Sequence, residues 1–354
     1  MMTTTESRRT GPLLPQPRGL LSVGVLSALR DGRQPLPLHG DVAQAEPYGD
    51  DLHLALYLLY ELHYRGFHGV DDDREWDARL LHLRQALENR FLTALRADSL
   101  AGRSVEEVFD ELLVESTDHA NSVSHYLQHE GELWQIREYA ALRSLYHLKE
   151  ADPHVWVIPR LQGRAKAAMV AVEYDEFGAG RAENVHAQLF ADLMHDLQLN
   201  ATYGHYLDAA PAEVLATVNV MSLFGLHRAL RGALVGHFAC VEVTSSPGSF
   251  RLARAIRRTG AGPAAERFYA EHVEADAVHE QVVRRDVVGG LLADEPGLAA
   301  DVAFGADATT FLEERLSAFV LHAWRRNSSA LRAPLLLVPQ AEDAPDITGS
   351  GGRW

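Results

Sequence analysis

The chain has 354 residues and a mass of 39.1 kDa, enough for one large domain or two modest ones around a sizeable core. Its 33 Lys and Arg against 49 Asp and Glu leave a net charge of −16, which disfavours a nucleic-acid or anionic-membrane surface and favours a soluble protein with a neutral or cationic partner, or none. A single cysteine, Cys240, excludes an internal disulfide framework and a thiolate-rich metal site, and is compatible with a reducing cytoplasm.

Residues 1–45 are rich in Pro, Gly, Thr and Arg and are expected to form a partly disordered arm that packs only locally. Within it Gly19 to Leu29 is apolar and follows Arg8-Arg9, as the core of a secretion signal would. Pro12, Pro15 and Pro17 intervene, however, and Arg30-Asp31 stands where small residues would be cleaved, so the piece reads as a short helix or docking arm. No run approaches the roughly 20 apolar residues of a membrane span.

From Asp50 the pattern turns helical. Leu52, Leu54, Ala55, Leu58, Leu59 and Leu62 form one stripe ending near Gly66, and Glu61, with Tyr57, Tyr60 and Tyr64 nearby, is a candidate buried acid. Residues 76–95 and 105–127 are two further long periodic segments. The next helices are expected at 133–151, stopped by Pro153, then at 162–177, 182–197, 211–239, 248–258, 263–292 and 306–326. Strand signals are nearly absent and the tail from 336 reads as disordered, so the chain is expected to be all-α, with a helical extension over 46–131 and a core over 132–335.

The stretch from Phe268 to Glu280 carries the chemistry. At about 100° per residue, His272, Asp276 and His279 fall within roughly 60° of one another on a helix. A row of imidazole, carboxylate and imidazole reads as half of a mixed nitrogen and oxygen site, most naturally for iron. Phe268, Ala275, Val278 and Val282 supply apolar bulk beside it, as for a helix partly sunk in a core. Candidates for the other half are Glu176, with Glu173 and Asp175 in an otherwise apolar segment, and His186. Ten residues of unbroken helix would set Glu176 and His186 about 15 Å apart and roughly 80° out of phase, so both can ligate only if the chain deforms between them. Gly178 and Gly180 stand where that deformation is needed. Glu150, at the end of the helix before Pro153, is unremarkable by itself.

Five stretches carry a resemblance: Leu148 to His154, Ile158 to Leu161, Tyr174 to Gly180, Asn219 to Arg231 and Tyr269 to Glu280. Together, over roughly Leu133 to Trp324, they resemble the iron-containing redox enzymes among the heme-oxygenase-like diiron oxidases and oxygenases. The resemblance implies a heme-oxygenase-like helical bundle holding two irons with three histidines and three carboxylates, which fall here on Glu150, Glu176, His186, His272, Asp276 and His279. Glu183, one turn before His186, could ligate beside Glu176 or in its place. Glu173, Asp175 and Glu242 are candidates to orient the ligating imidazoles.

The function this implies is O₂ activation by a non-heme diiron oxidoreductase, which oxidises a small organic substrate by desaturation, N-oxygenation or C–C cleavage. An external electron donor and a homodimer are compatible with it. The alternatives are a ferritin-like site built on Glu183-x-x-His186 and Asp276-x-x-His279, and a helical binding or regulatory protein with a structural or vestigial site or a heme. For the heme, Gly232 and Gly236 before His237 could let a helix approach a flat cofactor, or could simply allow close helix packing.

Overall fold

Leucines spaced at three and four residues become helix throughout, and among the described residues there is no strand. The structure, a computed structural model, describes residues 11–32, 34–100, 102–115 and 118–338, apart from the side chains of Asp276 and Ala277. The first ten residues and those from 339 onward, where disorder is expected, lie outside the described residues.

The N-terminal part contains α1 (Leu20–Arg30), α2 (His39–Gln44), α3 (Asp50–Glu61), α4 (Ala78–Asp98), α5 (Val105–Leu112) and α6 (Val123–His129). The remainder contains α7 (Leu133–His147), α8 (Gly163–Glu176), α9 (His186–Asp196), α10 (Ala212–Leu226), α11 (Arg231–Thr259), α12 (Pro263–Val282), α13 (Gly289–Asp294) and α14 (Ala299–Trp324). Helix α11 is the central post, packed against α12 on one side and α14 on another. One glycine on each helix decides how close α11 and α14 come: a Cβ at Gly236 of α11 would lie 1.9 Å from the Val302 carbonyl oxygen, and one at Gly305 of α14 would lie 2.0 Å from that of Ala233. These glycines therefore serve close packing of two helices, and the face they open is filled by backbone rather than by a flat cofactor.

Several expected boundaries move, each for a local reason. Residues 105–127 form two helices, because Ser122 caps α6 by accepting from the His125 N–H at 3.2 Å, after a turn-forming Asp118 to Asn121 segment. The helix expected over 211–239 breaks after Leu226, and the one expected at 248–258 is the second half of α11, which runs straight through Pro247. An interior proline costs about 3 kcal/mol; here Val243 on one side of it and Leu252, Ala255 and Ile256 on the other are buried, and that packing holds the helix together. The segment expected as one helix over 263–292 passes through a π-helical turn, Val283–Val288, between α12 and α13.

The arm does not pack only locally. Leu21, Val25, Leu26, Ala28 and Leu29 of α1 belong to the same buried cluster as the rest of the molecule. Arg18, ahead of α1, pairs with Asp50 at 3.0 Å and donates to the Leu207 carbonyl at 2.7 Å. A composition rich in proline signalled an irregular backbone, but not that its apolar side chains would find the core. Among the described residues, no helix is long and apolar enough to cross a membrane.

Candidate metal centre

Four helices and one turn converge on a buried cluster of imidazoles and carboxylates. Helix α7 ends at His147, and the turn that follows carries Glu150 inward. Helix α8 ends on Glu176 and α9 begins on His186. Between them Gly178, Ala179 and Gly180 all take positive φ, at 74°, 50° and 82°, so the chain doubles back instead of continuing as helix. The result brings His186 Nδ1 to 2.7 Å from Glu176 Oε2. Helix α11 adds Glu242, and α12 adds His272 and His279.

These side chains sort into two buried triads, Glu150 with His186 and His272, and Glu176 with Glu242 and His279. Within each, one potential ligand atom per residue lies within 4.8 Å of the others. Glu176 faces both ways: Oε2 meets His186 of the first triad, and Oε1 lies 3.6 Å from His279 Nδ1 of the second. Glu242 Oε2 is 3.2 Å from the same nitrogen. In the first triad His272 donates its Nδ1–H to the Phe268 carbonyl at 2.8 Å, which turns Nε2 toward Glu150 Oε1, 3.7 Å away.

The electrostatics are those of a site with surplus negative charge. Burial opposes ionisation of Glu150, but His147 at 2.9 Å and His272 outweigh it and hold the carboxyl well below its usual range. Burial pulls His279 down, yet Glu242 and Glu176 prevail and raise it to about 9. His186 is raised by Glu176 in the same way against its burial. Glu173 is driven well above the carboxylate range, first by burial and then by Glu176 and Glu242. Neither of its oxygens has a hydrogen-bond partner among the described residues, nor does Glu150 Oε2. Buried carboxylate oxygens left so are costly, and imidazoles with carboxylates are the donors that suit iron. The residues present therefore fit such an ion.

A cavity of about 420 Å³ opens against this cluster. Glu150, Glu176, Glu242 and His272 form its inner end, and rings of Tyr146, Phe238, Phe268 and Tyr269 form its apolar walls. Further polar lining comes from Arg143, whose two terminal nitrogens lie 2.8 and 2.6 Å from the Glu313 oxygens. Leu112, ending α5, and residues 121–124, at the start of α6, also line the cavity.

Of the residues proposed from sequence, the structure brings Glu150, Glu176, His186, His272 and His279 to one place. Asp276 lies on α12 between the two histidines, with its side chain outside the described residues. Glu183 sits in an exposed turn, in neither triad, so the Glu-x-x-His pairing of a ferritin-like site is not formed there. Asp175 is largely exposed and reaches His279 Nε2 at 3.4 Å. Glu242, expected only to orient an imidazole, stands inside the second triad. Sequence reasoning missed His147, which grips Glu150. The i, i+3 spacing on one helix end was the available signal, and it is too common to stand out.

A model of a family described as iron-containing redox enzyme matches residues 137–314. Among curated proteins, none matches the chain.

Proposed function

Since the chain belongs to the iron-containing redox enzyme family, we propose that it is a non-heme diiron oxidoreductase that activates O₂ to oxidise a small organic substrate held in the cavity. The observation that carries this reading is Glu176, which offers one oxygen to each of two buried triads. Glu150, His186 and His272 would hold one ion, and Glu176, Glu242 and His279 the other, with Asp276 on the same helix as a further ligand. When bound, two ferrous ions supply electrons to O₂ and the oxidising power used on the substrate, an external donor restoring them where the reaction needs it.

The protein's part is to bind, orient and exclude. The Phe268 carbonyl fixes the tautomer and rotation of His272, so its ligating nitrogen needs no search. His147 keeps Glu150 ionised and aimed. Aromatic rings beside the cluster keep bulk water away from the reacting end, while Arg143 and Glu313 offer a polar anchor further out. Desaturation, N-oxygenation and C–C cleavage are the reaction types in view.

The test is an anaerobic Fe(II) titration of the full chain followed by an O₂ pulse. Two ions per chain and a transient visible absorption are expected, with His186→Ala and His279→Ala each losing about one ion. Absence of ferrous uptake, or uptake untouched by both substitutions, would remove the proposal and leave a helical binding protein.

A further inference from the structure

Two residues from outside the family-matched region, Glu61 and Arg65, reach the turn that carries Glu150. Glu61, at the end of α3, is wholly buried, and so is Lys149, the residue before Glu150. Lys149 Nζ lies 3.3 Å from Glu61 Oε2, and its ammonium sits over the rings of Tyr64 at 4.2 Å and Tyr57 at 5.2 Å. Tyr203 donates its hydroxyl to the same Glu61 oxygen at 2.8 Å. Arg65, one turn further along, donates from its guanidinium to the Leu148 carbonyl at 3.1 Å and stacks over Tyr203 at 4.1 Å. Thus Glu61 holds the side chain of residue 149, and Arg65 holds the backbone of residue 148.

On the other side of Glu150 the chain does something a non-glycine residue rarely does. Ala151 is buried with φ of 74°, in the left-handed region. Such a conformation persists only where the surroundings over-determine it. The turn needs it because Glu150 must point into the cluster while Lys149, its neighbour, points the opposite way into α3. A buried ion pair is a poor choice for stability alone, since an apolar pair of similar volume would do as well or better. What it adds is a defined geometry, because the ammonium is held between the Glu61 carboxylate and the Tyr57 and Tyr64 rings, with Asp152 as a further negative neighbour.

We infer that Glu61, Lys149 and Arg65 are positioning residues for Glu150, so that the N-terminal extension is a working part of the metal centre and not a cover laid over it. This rests on the reading of Glu150 as a ligand. The competing account is that the pair only fastens α3 to the core.

The experiment is an anaerobic titration of the full chain with CoCl₂ alone, read by visible absorption and by bound metal, beside circular dichroism and thermal melting. Wild type should take two ions. The double variant Glu61→Gln/Lys149→Met, which leaves neither charge buried alone, should keep its helix content and a melting point near wild type. It should nonetheless lose affinity at one of the two sites by at least tenfold, with an altered cobalt spectrum. Arg65→Gln, at an exposed position, should weaken the same site by a few-fold without touching the fold, and it carries the test should the double variant not fold. Two sites of wild-type affinity and spectrum in Arg65→Gln and in any folded double variant would overturn the inference. No cobalt uptake by wild type would instead sink the diiron reading on which it rests.

Discussion

At the scale of single residues, the direction in which a buried histidine is shifted depends on whether its carboxylate neighbours outweigh burial. His279 is raised because Glu242 and Glu176 outweigh burial. His53 and His237 have no such neighbours at hydrogen-bond distance, and burial depresses them to about 3 and about 4. His53 Nδ1 accepts from the Asn219 amide, and His237 donates Nδ1–H to Thr309, whose own hydroxyl is committed to the Gly305 carbonyl. Their depressed values fix the sign of a pH effect. The unfolded chain binds protons at these positions below about pH 6.5 while the folded chain does not, so the contribution of these two histidines to folding stability is complete above that pH. It drains away as the pH falls through 4, with each histidine worth a few kcal/mol on the order of 1.4 kcal/mol per unit. Urea unfolding between pH 7 and 4 should show that slope, and His53→Gln should flatten it. An unchanged slope in that variant would mean that His53 is protonated in the fold.

At the scale of elements, the turn joining α8 to α9 decides whether the two triads share a residue. Gly178 and Gly180 both have positive φ, yet they are not equivalent. A Cβ on Gly178 would stand 2.6 Å from the Val185 nitrogen, against backbone that cannot give, whereas one on Gly180 would meet only the Tyr174 hydroxyl at 3.6 Å. Gly180→Ala should therefore cost about 1 kcal/mol through its φ alone and leave ferrous uptake near wild type. Gly178→Ala should push residues 184–186 outward, separate His186 from Glu176, and lower bound iron by about one ion. Metal analysis of the two purified variants side by side makes the comparison. Equal iron in both would show that the close approach at Gly178 has no bearing on the site.

At the scale of the whole molecule, α1 and its flanks are load shared with the core and not an appendage. Fully burying one leucine or valine contributes about 1.5–3 kcal/mol, and Leu21, Val25, Leu26 and Leu29 are all buried. Their sum is comparable with the roughly 5–15 kcal/mol by which a domain is stable at all. Deleting residues 1–45 should therefore give aggregated protein or a melting point lowered by many degrees, measured by differential scanning calorimetry. A soluble deletion with an unchanged melting point would show that the arm is dispensable. Much of this protein was legible in its sequence. Leucine spacing dictated helices, the i and i+7 spacing of His272 and His279 set them on one stripe, and two glycines marked where Glu176 and His186 had to be brought together. Those are local properties, settled by backbone periodicity and by which residues tolerate positive φ. The sorting of the candidate residues into two triads, the entry of Glu242 into one of them, the exposed position of Glu183 outside both and the grip of Glu61 on Lys149 were decided only by tertiary structure. Each depends on the distance between residues far apart in the chain, and that distance is set by how helices pack around α11, which no local pattern encodes.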